Sequence, residues 1–197
     1  MKRRSLLMTG LAAAAFPSFP ARAHVNLPED YQLPEEFLPR EVRLREEFAP
    51  YEIHVDPNQF ALYWTQPDRK AIRYAVGVGR DNLYHSGEFY VGAKKEWPSW
   101  TPTQEMIKRN AKYAQWEDGM PGGINNPLGA RALYLFTPGR GDSMLRIHGT
   151  NDPRTIGRAV SNGCARLTNE HITQFYELVP MNTRVVLYPK GKPASTG

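Results

Sequence analysis

The sequence predicts a mainly β fold carrying a single confident helix. Three observations lead there. Apolar and polar residues alternate with period two in short runs from Tyr51 onward, each run closed by turn residues. Gly 16 and Pro 17 in 197 residues is a generous supply of turns and helix breakers. One stretch beyond Arg166 repeats its apolar residues at helical spacing.

The chain begins with the pattern of an export signal over residues 1–23. Lys2-Arg3-Arg4 is a positive start, Leu6 to Phe16 is apolar but too short to span a bilayer, and Ala21-Arg22-Ala23 is a small-x-small cleavage site. Arg3-Arg4-Ser5-Leu6-Leu7 also resembles a twin-arginine signal, so two export routes stay open. Residues 24–49 are rich in Pro and Glu, the composition of a linker or an extended arm. Phe37, Leu38, Val42 and Leu44 are its candidate anchors on the domain that follows.

That domain is expected over residues 50–190, with 191–197 as a tail. Tyr51-Glu52-Ile53-His54-Val55 alternates, Asp56-Pro57-Asn58 turns, and Phe60-Ala61-Leu62-Tyr63-Trp64 returns, which is a hairpin pattern. Ile72, Tyr74, Val76 and Val78 share one face of a third strand, and residues 87–93 suit a fourth. Residues 94–128 have no period but hold Trp97, Trp100, Trp116 and several prolines and glycines. A long structured loop is expected there, with a short helix over 104–112 and the tryptophans as anchors; loops of this length are usually functional. Residues 132–136 and 144–148 read as two more strands. In the second, Leu145 and Ile147 face the core, while Met144, Arg146 and His148 face the other side. Thr168 is a good N-cap, and Ile172, Phe175, Tyr176 and Val179 line one helical face before Pro180. Residues 184–188 form a closing strand.

Charge argues against a nucleic-acid partner. The formal net charge is +5, but Lys2, Arg3, Arg4 and Arg22 precede the expected cleavage point with no acid among them. Their removal leaves +1, without the basic patch that nucleic-acid binding requires.

The chemistry gathers between His148 and Arg166. Cys164 is the single cysteine of the chain. An exported protein works in an oxidising place, where a lone thiol has no internal disulfide partner. Its neighbours Ser161-Asn162-Gly163 and Arg166 make a polar loop rather than a core strand. Arg166 and a nearby imidazolium would both favour thiolate. His148 closes a strand 16 residues earlier and supplies a group able to take the thiol proton, with His171 as the fallback base. Gly149 and Gly163 flank the pair and leave bare backbone N–H groups for an oxyanion. Arg146, Arg158 and Arg166 are candidates to hold a carboxylate. With one cysteine and neither His-x-His nor His-Glu-x-x-His, no metal site is expected.

The blocks His148-Gly149-Thr150 and Ser161-x-Gly163-Cys164-x-Arg166, in that order and spacing, resemble the signature of the L,D-transpeptidase catalytic domain. Gly92 to Met106, with Trp97-Pro98-Ser99-Trp100-Thr101-Pro102, and Asn126-Pro127-Leu128-Gly129-Ala130 are similar to further blocks of that family. Asn162 stands where the family often has histidine, and Ala165 where a larger aliphatic is usual. The resemblance implies a sandwich-like mixed sheet with the cysteine loop feeding the helix. It implies a periplasmic enzyme without cofactor that acts on peptidoglycan stem peptides. Cys164 would be the nucleophile and His148 the base; Gly163, Ser161, Gly149, Asn162 and Arg166 would serve the substrate or the oxyanion. The acceptor would be a second stem peptide, an outer-membrane protein or water, the last giving an L,D-carboxypeptidase, and attack on an existing 3→3 bridge would make an endopeptidase. Two rivals differ: a non-catalytic wall-binding module needs no free thiol, and a papain-like peptidase places cysteine before histidine, the reverse of the order here.

Overall fold

The computed structural model describes residues 31–191. The expected export signal and nearly all of the expected tail lie outside the described residues. The fold is mostly β, as expected: one mixed nine-stranded sheet and a two-stranded one.

The strands are β1 (Arg40–Arg43), β2 (Ile53–Asp56), β3 (Ala61–Gln66), β4 (Lys70–Ala75), β5 (Val78–Gly79), β6 (Gly87–Glu96), β7 (Arg131–Thr137), β8 (Gly141–His148), β9 (Ala159–Ser161), β10 (Ala165–Arg166) and β11 (Arg184–Leu187). The helices are α1 (Gln104–Arg109) and α2 (Asn169–Leu178). The large sheet runs β1-β4-β3-β2-β11-β6-β7-β8-β10, and β5 pairs with β9. β11 on β2, β10 on β8 and β5 on β9 are parallel; the other pairings are antiparallel.

The third predicted strand is interrupted. β4 stops at Ala75, and Gly77 then forms an antiparallel bridge with Arg166, each donating its N–H to the other's carbonyl at 2.9 and 2.8 Å. The chain just past β4 therefore meets β10 at the opposite end of the sheet. The sheet curls on itself and encloses one core. Trp64 and Tyr74 from one end and Leu133 and Ile147 from the other belong to the same buried cluster as Phe175 of α2. Burying such side chains is worth about 2 kcal/mol each, which is what holds the curl.

α2 forms where its caps and apolar face predict. The Thr168 side chain accepts from the His171 N–H, and Ile172, Phe175 and Val179 are buried, with Tyr176 packed at the edge. At its other end, the Lys94 ammonium donates to the carbonyls of Tyr176 and Val179 and lies over the Tyr176 ring at 4.2 Å. Those carbonyls have no helical partner, so a β6 cation satisfies the helix end and ties it to the sheet.

The Pro/Glu-rich stretch is in part an extended arm. Its β1 adds an edge strand to β4, with Arg40 opposite Arg73 and Arg43 opposite Lys70. Leu44 is buried with Ala61, Tyr63 and Ala71, and Val42 packs against them. Of the four predicted anchors, Leu38 is exposed instead. Residues 97–130 leave the sheet between β6 and β7. The short helix stops at Arg109, and a 3-10 segment (Ala111–Trp116) replaces its last turn. The Asn110 side chain accepts from the Lys112 N–H at that junction, an alternative to helix continuation. Buried Asn126 donates to the carbonyls of Met120 and Pro121 and accepts from the Leu128 N–H, fixing the base of this excursion.

Candidate active site

β8 and β10 run side by side in parallel, with Ala165 opposite Ile147 and Arg166 opposite His148. Side chains alternate across a strand. Leu145, Ile147, Ala165 and Leu167 accordingly enter the core. Arg146 and His148 of β8, with Cys164 and Arg166 of the neighbouring segment, belong to the other parity and so share the opposite face. The alternation expected for β8 holds for Leu145 and Ile147, and the second face is buried too, for Arg146 and His148 are both largely covered. Met144 departs from the pleat: it sits at φ 63° and is exposed. The Ala165 methyl is buried in the core cluster.

His148 Nδ1 lies 2.5 Å from the Gly149 carbonyl oxygen. A carbonyl only accepts, so Nδ1 carries the proton and Nε2 keeps its lone pair. Burial, reinforced by the Arg166 guanidinium, pushes the imidazole down to about 3, and the Gly149 bond only partly offsets this. Cys164 is partly exposed, but its sulfur sits in desolvated surroundings that push the thiol up. The Arg146 backbone N–H and the charges of Arg146 and Arg166 oppose that rise. The pair thus rests as neutral thiol and neutral imidazole. Burial thus disfavours the imidazolium anticipated from sequence; it keeps the Nε2 lone pair free and at the same time makes the ring a weaker base than a solvated imidazole.

The cysteine loop is held by its own residues. Buried Ser161 donates from its hydroxyl to the Cys164 carbonyl at 2.6 Å and accepts the Gly163 N–H at 3.2 Å. Ser161 therefore shapes the turn, and the Gly163 N–H is already engaged. Gly163 has φ 127°, and a Cβ there would stand 2.9 Å from the Leu83 carbonyl oxygen. Gly149 is equally confined, since a Cβ would meet Asn169 Oδ1 at 2.3 Å.

The three candidate arginines separate. Arg146 is committed: it grips Asp142 through two bonds of 2.7 and 2.8 Å and lies over the Tyr134 ring at 4.0 Å. Arg158 is exposed on the loop before β9. Arg166 remains at the site, its Nε buried without a partner among the described residues. Cys164, Tyr113 and Asp152 are the groups whose charge it feels. The fallback base is misplaced: His171 is buried with its ring edge toward Tyr74 in the core, and burial pushes it down to about 4.

Sequence reasoning missed Arg109 and Tyr113. Arg109 Nη2 donates to Asn162 Oδ1 at 3.3 Å, and Tyr113 lies near enough to Arg166 to act on its charge. Both belong to the excursion between β6 and β7, which lacks any period to place it. Of the tryptophans there, Trp100 packs edge-on against Tyr113 at 5.4 Å, whereas Trp97 is exposed. A signal for the Arg146 tie was present: Asp142 and Arg146 are four apart in one strand, hence on one face. Among the described residues no cluster of histidine, cysteine and carboxylate side chains is suited to a metal ion.

Residues 50–187 match the family model of the L,D-transpeptidase catalytic domain, YkuD. A putative L,D-transpeptidase of Fuscovulum blasticum is 40% identical over 125 residues, 62% of this chain and 61% of that protein. The probable L,D-transpeptidase ErfK/SrfK of Escherichia coli is 34% identical over 137 residues, 68% of this chain and 42% of that one. The chain thus spans less than two thirds of the length of these relatives. Among solved structures, a Brucella melitensis protein named a probable carnitine operon oxidoreductase is 41% identical, with a TM-score of 0.54 over 79% of this chain and 96% of that one. An Enterococcus faecium L,D-transpeptidase shares the fold at 14% identity, with a TM-score of 0.51 over 71% of this chain and 50% of that one. With its sheet, its Cys164 loop and a family match across most of its length, the chain belongs to the L,D-transpeptidase catalytic-domain family.

Proposed function

We propose that this protein is a cysteine-dependent L,D-transpeptidase that makes 3→3 cross-links in periplasmic peptidoglycan or attaches a protein to it. The observation that carries the reading is the His148–Gly149 bond. It leaves a neutral Nε2 lone pair on the strand paired with the Cys164 segment. His148 Nε2 takes the Cys164 thiol proton as sulfur attacks the carbonyl of the third residue of a stem tetrapeptide. The tetrahedral intermediate places negative charge on the former carbonyl oxygen. With the Gly163 N–H engaged by Ser161, the Cys164 N–H is the candidate donor to that oxygen, an interaction worth about 3 kcal/mol. Collapse breaks the peptide bond, the amine of the terminal D-alanine takes the proton from His148, and a thioester remains. An amine of a second stem peptide, or of an outer-membrane protein, then attacks the thioester, passing its extra proton through His148 to the departing sulfur. Arg166 lends positive charge beside the sulfur throughout.

The test is incubation of purified protein with disaccharide-tetrapeptide and mass spectrometry of the products. Cross-linked dimer is expected. Tripeptide alone makes the protein an L,D-carboxypeptidase. No product, with no thiol-reagent or carbapenem adduct at Cys164, makes it a wall-binding module.

A further inference from the structure

The segment from Asp152 to Arg158 links the strand that ends at His148 to β9, and β9 leads into the cysteine loop. The N-terminal arm lies against this segment just ahead of β1. The Tyr31 hydroxyl donates to the Pro153 carbonyl at 3.4 Å, and half-buried Phe37 lays its ring on Gly157. A Cβ on Gly157 would stand 2.7 Å from Phe37 Cζ, and the chain turns there at φ 74°. Glycine thus permits the turn and lets the ring close in. A cleft of about 550 Å³ opens beside this contact, so the support is local.

From Gly157 the brace reaches the nucleophile through hydrogen bonds. The Gly157 N–H donates to the Val76 carbonyl at 3.2 Å, and the Arg158 and Ser161 carbonyls accept from the Val78 and Arg80 N–H groups, each at 3.0 Å. The Ser161 hydroxyl in turn holds the Cys164 carbonyl. The segment meets Arg166 as well. A Cβ on Gly77 would lie 2.6 Å from the Thr155 carbonyl oxygen and 2.8 Å from Arg166 Cγ, so both pack against one glycine. We infer that Phe37 is a positioning residue: its ring braces Gly157 and, through residues 157–161, fixes the loop that carries Cys164. This rests on the reading of Cys164 as acyl-transfer nucleophile.

The experiment separates binding from chemistry. Single-turnover acylation of Cys164 by the stem tetrapeptide is followed by intact mass in wild type, F37A, F37L and L38A. F37A is expected to slow acylation at least about tenfold, because small misplacements of a reacting group are costly. F37L, which keeps an apolar side chain against Gly157, should fall between F37A and wild type. L38A, altered at the exposed neighbour, should match wild type. Tetrapeptide affinity should agree within about twofold between C164A and C164A/F37A, since the arm acts on the loop and not on the substrate. Hydrogen exchange in residues 157–164 should be faster in F37A and unchanged in L38A. Wild-type acylation by F37A, or a loss of affinity as large as the loss of rate, overturns the assignment. Should F37A fail to fold, a wild-type rate in F37L does the same. Failure of the underlying reading is distinct: wild-type Cys164 forms no adduct, and exchange alone then decides whether Phe37 holds the loop.

Discussion

His148 donates its Nδ1 proton to the carbonyl of the adjacent residue, Gly149, at 2.5 Å. The chain thus orients its own base without a second side chain, and burial holds that base neutral far below its ordinary range. Turnover should therefore show no acid limb near 6.5. Between pH 7 and pH 5, kcat/KM for the tetrapeptide is expected to stay flat once corrected for unfolding. A titration near 6.5 that vanishes in H148A would refute this.

Cys164→Ser should fold normally and lose nearly all turnover, because an alcohol beside a neutral imidazole is a far poorer nucleophile. His148→Ala should lower kcat by at least about 10²-fold. His171→Leu should keep near-normal activity, since that ring packs against Tyr74 rather than at the thiol. Steady-state rates with circular dichroism as a folding control check all three.

The same His171 should matter for stability. Its folded pKa is lowered to about 4 from 6.5, so below pH 6.5 the unfolded chain takes up a proton that the native protein refuses. Stability is therefore lost as pH falls from 6.5 toward 4. At pH 5 the loss amounts to about 2 kcal/mol from this residue. His171→Leu should lessen the fall in Tm between pH 7 and pH 5, the remainder coming from His148, which is likewise lowered, to about 3. An unchanged slope would show that His171 is not the source.

Gly163→Ala forces a side chain into φ 127° and against the Leu83 carbonyl oxygen. Strain of about 1–3 kcal/mol is expected at such a position. It falls on the loop that carries the nucleophile, so kcat should drop far more than thermal stability does. A variant that loses Tm but not kcat would contradict this.

The Arg109–Asn162 bond is exposed and 3.3 Å long, so its contribution to stability is small. Arg109→Ala should shift Tm negligibly. It should nevertheless speed hydrogen exchange in residues 104–116, which this bond ties to the cysteine loop. Exchange identical to wild type would remove any role for the contact.

What the sequence disclosed tracks what is local. Thr168, Ile172, Phe175 and Val179 announced α2 because capping and helical spacing are properties of neighbouring residues. Leu145 and Ile147 announced the core face of β8 for the same reason. His148 and Cys164 stood out by residue type and spacing, and the parallel β8–β10 register brings their segments side by side. The state of the thiol and imidazole was not readable, because desolvation depends on what the fold stacks over them. Nor was the placement of His171, since the helical face of a residue is legible but the partner across it is not. Arg109 lay hidden because the excursion that delivers it is arranged by Asn126 and by turns without period.

β11, the last strand of the described residues, occupies the middle of the nine-stranded sheet, between β2 and β6. It joins the two halves of the sheet by hydrogen bonds to both, while the Gly77–Arg166 bridge and the shared core join their far ends. The fold is consequently cooperative: without β11, β2 and β6 each lose a hydrogen-bonded neighbour and present an unpaired edge. A truncation that removes β11 should therefore yield an aggregating chain rather than a smaller enzyme.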